Sequence, residues 1–133
     1  MSEGNAPQPE GPSAERIARG EKMFNEVYGG VVQMPPAERR DPYINDLLGH
    51  LFAEIWSRDI LSIRDRRLLL LGAAIALGET PIVEIQLRAA VAKGELSREQ
   101  LSELLLFIVN YVGYPRVSGL QQAINRVLAD TKS

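Results

Sequence analysis

Acidic and basic side chains that could move a proton or hold an anion occur at helical spacing in the middle of the chain. Glu54 and Arg58 are four residues apart, the order that places an acid beside a base on a helix. In one interpretation Arg58 holds a substrate carboxylate, Glu54 moves a proton and Trp56 helps to bind the substrate. In the other, Glu54 and Arg58 form a surface ion pair beside a core tryptophan. The sequence leaves both open.

Two further residues are candidates for catalysis. Gln86 is expected on a helix, where its amide orients a substrate or water molecule, or else satisfies a neighbouring helix. His50 is the only histidine, and it lies one turn before Glu54 on the same helix face. Imidazole can exchange a proton near neutral pH. A lone histidine near an apolar face is, however, more often partly buried without a chemical role.

Arginines and tyrosines supply the candidate ligand-binding residues. The run from Arg64 to Arg67 contains three arginines and Asp65. Arg67 is a candidate for binding a substrate carboxylate. The alternative is that the run caps a helix and its arginines are solvated. Tyr111 and Tyr114 have hydroxyls that could reach a ligand, or they are packing residues with a polar tip.

Composition narrows the classes of function. The chain has 133 residues, a formal net charge of −2, no cysteine and one histidine. Disulfides, thiol catalysis and thiolate metal sites are excluded, and a multi-histidine site within one chain is excluded too. We therefore expect no metal or cofactor. The charge balance does not indicate nucleic acid, and no apolar run is long enough for a signal or membrane segment. A cytoplasmic location is the expectation.

The stretch from Ser62 to Gly94 predicts a central antiparallel helical hairpin. Ser62 is a plausible N-cap, and Gly78 fits the left-handed position after the first helix. Thr80 followed by proline predicts the cap of the second helix, which ends at Lys93 and Gly94. Residues 68–77 are apolar on all sides, a pattern typical of a buried helix.

Four more helices complete an all-α fold with one domain over residues 13–133 and a disordered tail over residues 1–12. They are predicted from Ser13 to about Tyr28, from Asp41 to near Trp56, from Ser97 to about Val112, and from Pro115 towards Asp130. The second of these has apolar residues at three- and four-residue spacing, namely Leu47, Leu48, Leu51, Phe52 and Ile55. The apolar content of the Ser62 and Ser97 helices exceeds what a small monomer needs. We therefore expect a homo-oligomer with an intersubunit surface there.

Short segments, collinear from about Arg19 to Ala129, resemble a known family. They are Glu54-Ile55-Trp56-Ser57-Arg58, Leu61-Ser62, Arg64-Asp65-Arg66, Ala73-Ala74, Ala76-Leu77-Gly78, Leu87-Arg88-Ala89-Ala90, Gly94, Glu103-Leu104-Leu105 and Tyr111-Val112-Gly113-Tyr114-Pro115. Together they resemble the carboxymuconolactone decarboxylase family, of the alkyl hydroperoxidase D-like superfamily, and are nearer to its decarboxylase branch. The resemblance implies a six-helix bundle that assembles into a trimer or hexamer. It also implies cofactor-free decarboxylation of a carboxylated muconolactone in aromatic-compound degradation.

The chain departs from the family at its reactive positions. The peroxidase branch has two cysteines and a histidine where this chain has Glu79, Ile82 and Gln86, and an acidic residue at Arg67. Decarboxylase members also have histidine at the Gln86 position, and glutamine cannot replace it in proton transfer.

Two hypotheses follow from these departures. One is a decarboxylase-like lyase acting on a small carboxylated lactone or acid, with Arg58 and Arg67 near the carboxylate and Glu54 as proton donor. The other is a non-catalytic oligomeric binding protein for small molecules.

Overall fold

The structure is a computed structural model that describes residues 11–131. This part of the chain is all-helical, without strands, as predicted. It divides into two compact units, residues 11–26 with 34–58, and residues 27–33 with 59–131. The prediction of a single domain over residues 13–133 stays a prediction. Most of the predicted tail lies outside the described residues, and Gly11 and Pro12 have no regular structure.

Six helices in chain order make up the fold. They are α1 (Ala14–Tyr28), α2 (Pro42–Asp46, continued by a π-helix over Leu47–Trp56), α3 (Ile63–Leu77), α4 (Thr80–Ala92), α5 (Arg98–Val112) and α6 (Tyr114–Asp130), with a 3-10 turn over Ala37–Arg39 before α2. No helix within the described residues is both long enough and apolar enough to cross a membrane.

Local capping interactions begin most helices where the sequence predicts. The side chains of Asp41, Ser62 and Ser97 each accept a hydrogen bond from a backbone N–H three residues on, and Ser97 forms a full capping box. The predicted Thr80 cap is wrong. Thr80 is already helical and Glu79 is the N-cap, because the Glu79 carbonyl accepts the first helical hydrogen bond from Val83 N at 3.0 Å.

The first unit contains the π-helix, which corrects the predicted apolar face of the second helix. Its buried residues recur at four-residue spacing, as Leu48, Gly49, Phe52, Ala53 and Trp56. Two residues predicted for that face, Leu51 and Ile55, are exposed. The reason is that a π-turn contains more residues than an α-turn, so the buried stripe follows a longer repeat. Phe52 stacks on Trp56 with ring centroids 5.9 Å apart.

The second unit contains a helical core formed by α3 to α6. Leu71, Ile75, Leu87, Leu101 and Val127 are among its buried members. The central hairpin is present, since α3 packs against α4 and Gly78 adopts a φ of 75° between them.

The expected burial of α3 on all sides is wrong within the single chain. Leu69 and Leu77 are 65% and 70% exposed, whereas Leu71 and Ile75 are buried. The helix therefore uses only one side for the core of its own unit.

Candidate functional site

A buried cation lies on the core-facing side of α3. Arg67 is 0% exposed and shares that side with Leu71, Ala74 and Ile75, which follow at helical spacing. The Ser62 cap starts the helix and so places Arg67 in its second turn. A buried charge needs compensation by hydrogen bonds and an opposite charge. The interpretation of the arginine run as wholly solvated is therefore wrong for Arg67.

A carboxylate provides the opposite charge. The Nε and Nη2 groups of Arg67 donate to Glu95 Oε1 and Oε2 at 2.8 and 3.1 Å, a bidentate arrangement. Glu95 lies in the linker between α4 and α5, directly after Gly94, whose φ of 70° ends the α4 turn. The side chain of Glu95 is 10% exposed. The pair is therefore largely removed from water.

Neutral groups surround the rest of the guanidinium. Its Nη1 donates to Gln86 Oε1 at 3.0 Å and its Nη2 donates to the Val27 carbonyl at 2.6 Å. The Tyr28 ring centroid lies 5.4 Å from Arg67 Cζ, within cation–π distance. Four hydrogen bonds and a ring thus hold Arg67 in one position.

Gln86 connects the cation to a tyrosine hydroxyl. It is 3% exposed, and its Nε2 donates to Tyr28 Oη at 2.8 Å. Burial raises the pKa of Tyr28 above its ordinary 10.0, although the Gln86 hydrogen bond and the Arg67 charge oppose this and the Glu95 charge adds to it. Tyr28 is therefore a neutral phenol at physiological pH. We call Tyr28, Arg67, Gln86 and Glu95 the Arg67 cluster.

The other predicted site residues lie elsewhere. In the first unit, Glu54 Oε1 pairs with Arg16 Nε at 3.0 Å and with Arg19 Nη2 at 3.3 Å. His50 and Arg58 are exposed, and Trp56 is buried. In the second unit Tyr111 and Tyr114 are both exposed, and the Tyr111 ring lies against Phe107 at 5.3 Å. Of the predicted residues, Arg67 and Gln86 are in direct contact with each other.

Sequence reasoning missed Tyr28 and Glu95 as members of the site. Glu95 is separated from Arg67 by 28 residues, and Tyr28 from Gln86 by 58, so no local spacing connects them. One signal was present in the sequence. Arg67 falls on the same helix face as Leu71 and Ile75, and a charge on a buried face requires a partner.

Comparison with known families bears on the same residues. The sequence profile of the carboxymuconolactone decarboxylase family matches residues 43–125, more than half of the chain. The chain belongs to the carboxymuconolactone decarboxylase family. A comparison with curated proteins found no match. The family match includes Arg67, Gln86 and Glu95, whereas Tyr28 precedes it.

Two further features complete the description of possible sites. Among residues 11–131, no group of three or more His, Cys, Asp or Glu side chains is arranged to hold a metal ion. An apolar groove of about 430 Å³ lies between α3 and α5. Leu68, Leu71, Leu104 and Phe107 are among its lining residues, and Arg64 is also part of its wall.

Proposed function

We propose that this member of the carboxymuconolactone decarboxylase family is a homo-oligomeric binding protein for a small carboxylated metabolite, without the histidine-dependent chemistry. The observation that carries the proposal is the state of Gln86. Gln86 stands where the resemblance places the family's histidine, and both ends of its amide are hydrogen-bonded within the cluster. An amide does not titrate near pH 7, so it cannot act as the acid or base.

Arg67 supports the choice of ligand class. Its guanidinium is buried and presents its Nε and Nη2 edge to a carboxylate. This planar, two-point recognition is the geometry by which arginine selects carboxylates over point anions. A cytoplasmic location and a role in aromatic-compound degradation are part of the same proposal.

A second candidate function is the cofactor-free lyase, and Tyr28 favours it. A decarboxylation breaks a carbon–carbon bond, leaves its electron pair as an enolate, and then adds a proton to carbon. The cluster contains a cation that could stabilise the enolate and a protonated phenol that could supply the proton. In this candidate Glu54, His50, Arg58, Trp56 and Tyr111 keep their predicted roles as further proposals.

The oligomer is proposed from the apolar surface of α3 and α5. Leu69, Leu77, Leu106 and Phe107 are all more than half exposed in the single chain, and the groove between the two helices is largely apolar. Exposed apolar surface of this kind marks an interaction site. We propose that a second copy covers it, in the trimer or hexamer that the family resemblance implies.

The deciding experiment is carbon dioxide release from γ-carboxymuconolactone, with a histidine-bearing family member as positive control. We expect no release above background, together with saturable binding of the compound in a calorimetric titration. A release rate comparable with the control, abolished in Gln86→Ala, would establish the lyase candidate instead. Gln121→Ala is the matched control, because Gln121 is an exposed glutamine on α6.

A further inference from the structure

The four sides of the Arg67 guanidinium differ in how they are held. The Val27 carbonyl, the Gln86 amide and the Tyr28 ring occupy three of them, and all come from helices. The fourth, the Nε and Nη2 edge, is occupied by the Glu95 carboxylate. Arginine uses that edge to bind a carboxylate from any source. The site is therefore built for a carboxylate, and one residue of the chain itself occupies it.

Glu95 reaches the guanidinium from a linker while its backbone is held independently. Its N–H donates to the Ala90 carbonyl at 2.8 Å, and its carbonyl accepts from Arg64 Nε at 2.9 Å. The side chain can therefore rotate away about its own torsions without a change in the backbone. At 10% exposure it is also the least buried of the two charged partners, so this edge of Arg67 is the one nearest to water.

We propose that Glu95 is an internal placeholder, and that the carboxylate of a bound ligand replaces the Glu95 side chain at Nε and Nη2 of Arg67. The exchange keeps the buried guanidinium paired throughout, since one carboxylate leaves as another arrives. The released Glu95 carboxylate is solvated, which offsets the desolvation of the ligand. The inference rests on the proposed function, because it describes how the ligand of that function reaches the cluster.

The same exchange makes Glu95 a determinant of affinity. A ligand carboxylate competes with a tethered carboxylate, so wild-type affinity is reduced by the fraction of molecules in which Glu95 is bound. Removing the charge of Glu95 removes the competitor but keeps the site. In Glu95→Gln, the amide nitrogen cannot accept from Arg67, so a free carboxylate is the better partner.

The test measures binding of acetate and propionate by calorimetry to the full chain and its variants. We expect Glu95→Gln to bind acetate at least tenfold more tightly than the wild type. Glu99→Gln, at an exposed position in the first turn of α5, should match the wild type. The double variant Arg67→Met with Glu95→Gln, which removes both charges, should not bind. Acetamide and sodium chloride at equal ionic strength are the ligand controls.

The outcomes separate the two proposals. Equal or weaker acetate binding by Glu95→Gln, or binding retained in the double variant, overturns the inference and leaves the proposed function standing. If no carboxylate, γ-carboxymuconolactone included, binds to any form of the protein, both fail. If Glu95→Gln is unfolded by itself, the inference requires acetate, and not chloride, to restore its helical circular dichroism signal, and a lack of recovery overturns it.

Discussion

Arg67 and Glu95 are a buried ion pair whose members depend on each other. Arg67→Met leaves the Glu95 carboxylate largely buried without its cation, which should lower the free energy of unfolding by about 3–5 kcal/mol. Adding Glu95→Gln should recover a large part of that loss, because no unpaired charge remains. Urea unfolding of the two single variants and the double variant measures this coupling. Additive losses would contradict the assignment of these two residues as a pair.

Tyr28 should make stability depend on pH in alkaline solution. Its pKa is raised in the folded state, so above pH 10 the unfolded chain loses the phenol proton first. Stability contributed by the neutral phenol is thus complete below about pH 10 and declines as the pH rises through the folded value. We expect the wild type to lose more stability between pH 9 and pH 11 than Tyr28→Phe does, in urea titrations at each pH. Parallel losses in the two proteins would show that Tyr28 is not the group responsible.

Helix ends and helix interiors demand different things of glycine, and α3 and α4 offer one of each. Gly94 has a φ of 70°, and a Cβ there would meet no atom within 4 Å, so the cost of Gly94→Ala comes from the backbone alone. That variant should be destabilised by about 1–2 kcal/mol. Gly72 lies inside α3 with equal space, and Gly72→Ala should be stabilised by about 0.5–1 kcal/mol. Thermal unfolding at one protein concentration compares them, and a shift of the same sign in both would contradict this account.

The π-helix shows how an element can change the meaning of a sequence pattern. Apolar residues at three- and four-residue spacing predict one buried stripe for an α-helix. In this chain the wider turn selects Leu48, Phe52 and Trp56 and leaves Leu51 and Ile55 exposed. Glu54 consequently pairs with Arg16 and Arg19 of α1.

Assembly is the property that the whole molecule adds. Phe107 is 61% exposed in the chain and forms part of the groove wall, so Phe107→Asp should convert the oligomer to smaller species without loss of helical content. Sedimentation velocity and circular dichroism measure the two quantities. Ser102→Asp, also exposed on α5, is the matched control and should assemble normally. A wild type that sediments as a monomer at micromolar concentration would contradict the proposed oligomer.

Features that depend on neighbours within a turn could be predicted from the amino-acid sequence alone. The caps at Asp41, Ser62 and Ser97 and the left-handed Gly78 all lie where the sequence indicates. These interactions join residues three or four apart, so the residue types and their spacing contain the whole interaction. The all-helical class and the family membership follow from the same local patterns.

The tertiary structure alone decided which partners the buried polar groups have and which helix faces are covered. Arg67 could have met solvent, a substrate or a protein carboxylate, and packing of α3 beside the linker after α4 selected Glu95. Tyr28 meets Gln86 across 58 residues of chain. Such pairings depend on how helices pack over long sequence separations. Within a sequence, a buried charge announces only that it needs a partner, because its desolvation cost is set by position and not by the partner's identity.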